Sequence, residues 1–256
     1  MNFVLFTNLL IAHFLADFPL QRDVWVKSKA QKHLLGSGMW LHSLVVFACT
    51  IIALGGFGCW RVAVGIVCSH ILIDYSKVRF TRRGPRAFAL DQFLHIGTLS
   101  LFASYGCELL DCEWHQWSFI PVGGELLYPM VACVYLFCLS PANYGIVEVL
   151  RYCHVKENEG SAKPGDVRPD DNGRIKRCGM LIGSAERFLV LTFILVGNFE
   201  AAGLTVAAKS LLRFNDKDAP RTEYVLVGTL LSIIVAVLSA LIIFKFGLNR
   251  SIIKFS

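Results

Sequence analysis

Charge is what this chain has least of. Only 17% of its 256 residues are Asp, Glu, Lys or Arg, while 55% are hydrophobic and the mean hydropathy is +0.55. An ordinary soluble domain carries about 25% charged residues, so a soluble enzyme is excluded. Paired metal-ligating cysteines are also missing. The nine cysteines form no CxxC; Cys49, Cys68, Cys133 and Cys138 stand singly in apolar segments and read as small packing residues. Cys107 and Cys112 share an acidic loop and are candidates for a disulfide if that loop faces an oxidising compartment. Asn2 to Leu20 has neither a basic n-region nor a small-residue cleavage site after it, so a removable leader is not expected. There is no internal repeat and no low-complexity tract.

What is present is a succession of apolar stretches long enough to cross a ~30 Å hydrocarbon core as helices. They run roughly from Asn2 to Leu20, Met39 to Phe57, Trp60 to Ser76, Asp91 to Cys107, Gly124 to Val149, Leu181 to Phe199 and Glu223 to Phe244. A shorter Ala- and Gly-rich segment, Glu200 to Leu212, reads as a re-entrant or surface helix. The expected fold is an all-α, polytopic helical membrane bundle of seven or eight segments. Its parts are a four-helix membrane domain over 1–110, a fifth span within 111–150, a solvated linker over 151–178 and further membrane helices over 179–256.

Orientation follows from the loops. Arg22, Lys27, Lys29 and Lys32 follow the first stretch, and Lys77, Arg79, Arg82, Arg83 and Arg86 follow the third. The second is followed only by Arg61, and the fourth by Glu108, Asp111 and Glu113. The positive-inside rule therefore places the amino terminus outside and the linker in the cytoplasm, as expected for a multi-pass protein of a cell inner membrane. Lys209, Arg213, Lys217 and Arg221 fit a seven-span count poorly, which keeps the Glu200 to Leu212 region open.

Seven ionisable groups stand out in the first four stretches. His13 with Asp17, His70 with Asp74, and Asp91 with His95 are spaced i,i+4, which puts each pair on one helix face; His42 stands alone. Because successive spans run in opposite directions, all seven reach the same, cytoplasmic, membrane face. Ionisable groups in spans are costly and usually face a bundle interior. Imidazole and carboxylate together suit a divalent metal, with zinc or manganese foremost, as one ion or as two sharing a carboxylate. Two other readings stand beside this one: His–Asp hydrogen bonds that hold helices together, and a proton or ion pathway.

Around this face, Lys77 continues the His70 and Asp74 stripe by another turn, and Gln21 and Gln92 lie beside it. With Glu186 these are the candidate catalytic groups. Arg187 at the start of the sixth stretch reads as an interfacial anchor. Glu186 is placed either to pair with Lys209, which lies one turn from Arg213, or to join the metal shell. His33, His115 and His154 lie in loops with no catalytic role expected.

The stretches His13-Phe-Leu-Ala-Asp17-Phe-Pro-Leu-Gln21, Trp40-Leu-His42, His70-Ile-Leu-Ile-Asp74-Tyr-Ser-Lys77 and Asp91-Gln92-Phe-Leu-His95 resemble the bacterial membrane family called domain of unknown function 3307, over about the first 110 residues. Longer members are similar at Gly183-Ser-Ala-Glu186-Arg187, at Ala207-Ala-Lys209-Ser-Leu-Leu-Arg213-Phe, and at Glu223-Tyr224 with Gly228-Thr229. The resemblance implies no activity and assigns no catalytic residue. A looser likeness in His and Asp usage to membrane-bound metal-dependent hydrolases points by analogy toward hydrolysis.

The functional expectation is a metal-dependent hydrolase opening at the cytoplasmic leaflet, with membrane lipids as surroundings and an anionic lipid or phosphate ester as substrate. A proton or divalent-metal transporter and a noncatalytic scaffold are the alternatives. No nucleic-acid partner is expected, and the oligomeric state is not set by the sequence. Cysteine labelling in a cysteine-free background tests the orientation: an impermeant reagent in intact cells should modify a residue near Asp111 and spare one near Arg82, and the opposite pattern inverts the topology.

Overall fold

The computed structural model describes residues 2–80, 84–112, 114, 126–152, 171–213 and 219–247, without the side chains of 80, 171–178, 210–213, 219–225 and 247. Arg82, Arg83, His115, His154, Lys217 and most of the linker therefore lie outside the described residues, as do the side chains of Arg213, Arg221, Glu223 and Tyr224. The described residues are all-helical. Four helical segments are long and apolar enough to cross a membrane: Phe57–Arg79, Leu127–Tyr152, Gly179–Val196 and Leu226–Phe246. A fifth is reached if the bent pair Asp23–Leu35 and Ser37–Ala53 counts as one span. Contacts divide the chain into two units, Met1–Leu136 and Phe137–Ser256.

The first unit is built on α1 (Phe3–Asp17), α2 (Asp23–Lys32), α3 (Ser37–Ala53), α4 (Trp60–Phe80) and α5 (Pro85–Leu101). A π-turn, Phe102–Gly106, carries α5 into a short α6 (Cys107–Leu109), and α7 (Leu127–Leu139) begins beyond. Asn2 starts α1 by accepting the Val4 and Leu5 N–H groups on its side chain, both at 3.1 Å. Pro19, which has no N–H to donate, follows the C-cap Phe18 and prevents continuation. At about 1.5 Å per residue, the 15 residues of α1 fall short of a full crossing. Pro85 opens α5 at a position where its missing N–H costs nothing.

Two helices that the sequence pattern assigns to loop and span meet at a sharp corner. α2 and the turn after it bend by 107° into α3, so α2 folds back against the start of α3 instead of leaving the bundle. Gly38 permits this. A Cβ there would stand 2.5 Å from the Trp25 carbonyl oxygen and 2.8 Å from Ser28 Cβ. Elsewhere the core is ordinary apolar packing, with Leu5, Leu9, Ile51, Val62, Ile66 and Leu99 buried together, while Leu44, Leu72, Phe93 and Leu101 face outward and exposed. Apolar side chains both inside and outside are what a helix solvated by lipid requires.

The second unit comprises α8 (Pro141–Tyr152), α9 (Asp171–Val196), α10 (Phe199–Arg213) and α11 (Ala219–Gly247), together with the end of α7. α10 packs on α9 and α11 on both α8 and α9. The segment Glu200 to Leu212 is thus a helix of its own, joined to α9 by a turn at Gly197, whose φ is +80°.

Replacing Gly38 with Ala should destabilise the protein by about 1–3 kcal/mol through overpacking against α2. Gly97→Ala, where an added Cβ meets nothing within 4 Å, should instead be neutral or stabilising by up to about 1 kcal/mol. Thermal melts of the two variants in one detergent compare them directly; equal melting temperatures would contradict the close α2–α3 packing.

Candidate metal centre

α1 brings His13 and Asp17 to its last turns, α3 brings His42 to its first, and α4 and α5 supply His70 with Asp74 and Asp91 with His95. The seven side chains come together in one cluster, all but Asp17 in the buried class. The imidazoles of His13 and His95 stack with centroids 4.9 Å apart, and those of His70 and His95 lie 4.4 Å apart.

At its centre, three electron-pair donors form a small triangle. His42 Nε2 and His70 Nε2 are 2.9 Å apart, a hydrogen bond in which one ring donates and the other accepts and whose proton an ion would have to displace, and Asp17 Oδ1 lies 3.4 Å from the first and 3.5 Å from the second. Ligands held about 2.1 Å from one cation sit roughly 3.0–3.4 Å from each other in octahedral or tetrahedral arrangements, so the triangle has the dimensions of one face of a coordination shell. Asp74 Oδ2 adds a fourth donor at 3.8 Å from His42 Nε2 and 3.7 Å from His70 Nε2. Asp74, Asp91 and His95 form a second, overlapping group whose donor atoms lie within 4.8 Å of one another.

Hydrogen bonding fixes which lone pairs are free. His95 Nδ1–H donates to the Asp91 carbonyl at 2.8 Å, which leaves the Nε2 lone pair directed elsewhere. Gln92 donates to Asp91 Oδ2 at 3.1 Å and offers its oxygen to His13 Nε2 at 3.4 Å. In the neutral ring this puts the His13 Nδ1 lone pair 3.7 Å from Asp17 Oδ1, two electron-rich atoms facing one another. Asp17 Oδ1, His42 Nδ1, Asp91 Oδ1 and His95 Nε2 are buried without a hydrogen-bond partner among the described residues. Buried polar atoms are nearly always satisfied; four orphans in one cluster are poorly explained by His–Asp hydrogen bonds serving only as glue.

Two lysines complete the site. Lys77 Nζ lies 2.7 Å from Asp91 Oδ2 with its side chain 43% exposed, so it bridges the cluster and the surface. Lys29, which the loop-charge pattern counts only as a topogenic residue, is buried and lies 2.5 Å from Asp74 Oδ2. No spacing signal relates it to Asp74, since the contact depends on the corner between α2 and α3. The Gln21 amide closes the same corner, with its nitrogen turned to the Asp17 carbonyl oxygen and its oxygen to Lys29 Nζ, both at 3.0 Å.

The second unit holds the remaining polar candidates. Glu186 pairs with Lys209. Arg187 is buried, not interfacial, at 2% exposure. It donates to the Cys138 carbonyl at 2.8 Å, to Ser232 Oγ at 3.0 Å and to Asn143 Oδ1, an acceptor set that makes an interior arginine tolerable. Arg213 sits at the end of α10.

Lys29→Met should destabilise the metal-free protein by about 3–5 kcal/mol, because it leaves Asp74 as a buried charge without its counter-ion. Adding Asp74→Asn should recover most of that loss. The double-mutant cycle is read by thermal melt, and additive effects would show that the two groups do not interact.

No curated protein and no solved structure matches the chain. The family model described as "Protein of unknown function (DUF3307)" matches residues 5–117, an interval that runs from Leu5 in α1 past the end of α6 and contains every residue of the His–Asp cluster. The segment that builds the candidate metal centre, residues 5–117 of the chain, is thus similar to the DUF3307 family.

Proposed function

We propose that the protein is a multi-pass protein of a cell inner membrane that binds one divalent metal in the His–Asp cluster and uses it to hydrolyse an ester of an anionic lipid at the cytoplasmic leaflet. In this reading α1, α3, α4, α5, α7 with α8, α9 and α11 are membrane segments, α10 is a possible eighth, and the amino terminus is outside. The outward-facing apolar side chains and the loop-charge bias support it. The observation that carries the metal is the triangle of His42 Nε2, His70 Nε2 and Asp17 Oδ1, with edges of 2.9, 3.4 and 3.5 Å.

Charge balance favours one ion over two. Asp17, Asp74 and Asp91 bring three negative charges and Lys29 and Lys77 two positive ones, leaving one negative charge when the imidazoles are neutral. A divalent ion carrying hydroxide restores neutrality, whereas a second divalent ion leaves an excess that a low-dielectric interior penalises heavily. An ion held by Asp17, His42, His70 and Asp74 would act as a Lewis acid, lowering the pKa of a water it bound toward neutrality so that it could serve as nucleophile. The free Nε2 of His95 is the natural proton acceptor. Gln92 and Gln21 hold Asp91 and the Asp17 end of α1 in place, and Lys77 reaches the surface where an anionic headgroup would dock. A small cavity of about 10 Å³ lies beside His13, His70 and His95, otherwise lined by residues such as Leu9, Val46, Ile66 and Leu99, and has room for about one water molecule.

Asp17→Asn, Asp74→Asn and Asp91→Asn keep size while removing charge. Asp17→Asn should lower bound zinc or manganese most, by at least tenfold, and abolish turnover on a panel of phospholipid and isoprenoid phosphate esters, while the melt stays cooperative. Variants that keep full metal and full cellular function would overturn the metalloenzyme. Metal-loaded wild type inactive across ester, amide and phosphate panels would remove the hydrolase and favour transport of the ion.

A further inference from the structure

The far end of the first unit carries a second cluster of different chemistry. Cys59, in the turn that opens α4, meets Cys107 at the start of α6 and Cys112 just after it, and the three sulfurs lie within 4.8 Å of one another. All three are free thiols. They are remote from the His–Asp site: eleven residues of α4 separate Cys59 from His70, about 16 Å at 1.5 Å per residue. Near them the Asn2 N–H donates to the Ala103 carbonyl at 3.3 Å, so this is the end of the unit at which α1 begins, whereas Asp17 closes the other.

We propose that Cys59, Cys107 and Cys112 form a three-sulfur binding site for a thiophilic d10 metal ion of the cuprous or zinc class. Three features support this. A structural disulfide uses two cysteines, and here a third from a distant part of the chain is brought against the pair. Zinc–sulfur bonds of about 2.3 Å place neighbouring ligand sulfurs roughly 3.8 Å apart, so closure onto an ion requires at most about 1 Å of contraction from the present spacing. Finally, Cys59 is buried at 1% exposure while Cys107 and Cys112 are partly exposed, which gives a closed back wall and an open entry. Soft thiolates prefer such ions, while imidazole and carboxylate prefer harder ones. The two ends of one bundle therefore overlap at zinc and part at the extremes, the sulfur site favouring cuprous ion and the His–Asp cluster manganese. The shell around the sulfurs is apolar, with Leu110 and Trp114 packed on the same core, and Trp114 Nε1–H is buried without an acceptor among the described residues.

The test uses full-length protein, reduced and then freed of reductant. Titration with cadmium(II) should give an ultraviolet sulfur-to-metal charge-transfer band that saturates at one equivalent. Cys59→Ser, Cys107→Ser and Cys112→Ser should each weaken binding by at least a hundredfold, while His70→Asn leaves the band unchanged. Wild type alone provides a second reading that needs no folded variant: zinc(II) in excess over both this site and the His–Asp cluster should slow maleimide labelling of Cys59, Cys107 and Cys112 at least tenfold by peptide mapping and leave the exposed Cys68 unaffected. Absence of both the band and the protection overturns the site. So does a Cys107–Cys112 disulfide in protein isolated without reductant from metal-replete cells.

Discussion

Three carboxylates buried in one helix bundle are the constraint from which the rest of the first unit follows. A carboxylate in a low-dielectric interior is unstable unless a cation or several donors face it, and Asp17, Asp74 and Asp91 are brought within reach of each other's partners. Asp91 is answered by Lys77 and Gln92, and Asp74 by Lys29. Asp17 has an oxygen that nothing among the described residues satisfies. The 107° corner between α2 and α3 exists to the extent that Lys29 must come back into the bundle, and Gly38 removes the side chain that would obstruct it. Of the two carboxylate oxygens left without a donor among the described residues, Asp17 Oδ1 and Asp91 Oδ1, the one whose carboxylate has no lysine is also the one that completes the triangle with His42 and His70. Demand for a positive charge is therefore greatest where the donor geometry for a cation is best.

The two units treat interior charge differently. In the second, Arg187 is held by a carbonyl, an amide oxygen and a hydroxyl, and Glu186 with Lys209 forms a neutral pair. Acceptor dipoles and pairing thus accommodate the polar groups without an ion. In the first, lone pairs outnumber the donors that face them. That surplus of lone pairs distinguishes a cluster suited to binding a cation from one that holds helices together.

The i,i+4 spacing of His and Asp in α1, α4 and α5 was enough to place each pair on one helix face, and reversal of direction between apolar stretches was enough to bring the pairs to one end. Those inferences depend only on helical periodicity and length, which are local. Lys29 was not legible, because its partner lies 45 residues away and its own helix resembles a charged loop. Cys59 was invisible for the same reason: isolated in a Gly-rich turn, it carries no spacing relation to Cys107 and Cys112. Arg187 read as an anchor because an arginine near the end of an apolar stretch usually reaches the interface, and only the packing of α7, α8 and α11 around it supplies acceptors in the interior.

The sequence by itself determined that the chain is helical and apolar on all sides, which residues share a helix face, and which family its amino-terminal segment resembles. These are properties of composition and of a 3.6-residue repeat. The tertiary structure decided which nitrogen of His95 is free, that two imidazole nitrogens meet at 2.9 Å, that Lys29 neutralises Asp74, and that three separated cysteines share one pocket. Each depends on the angle between elements, and that angle is set by steric contacts at single positions such as Gly38, which no periodicity along the chain records.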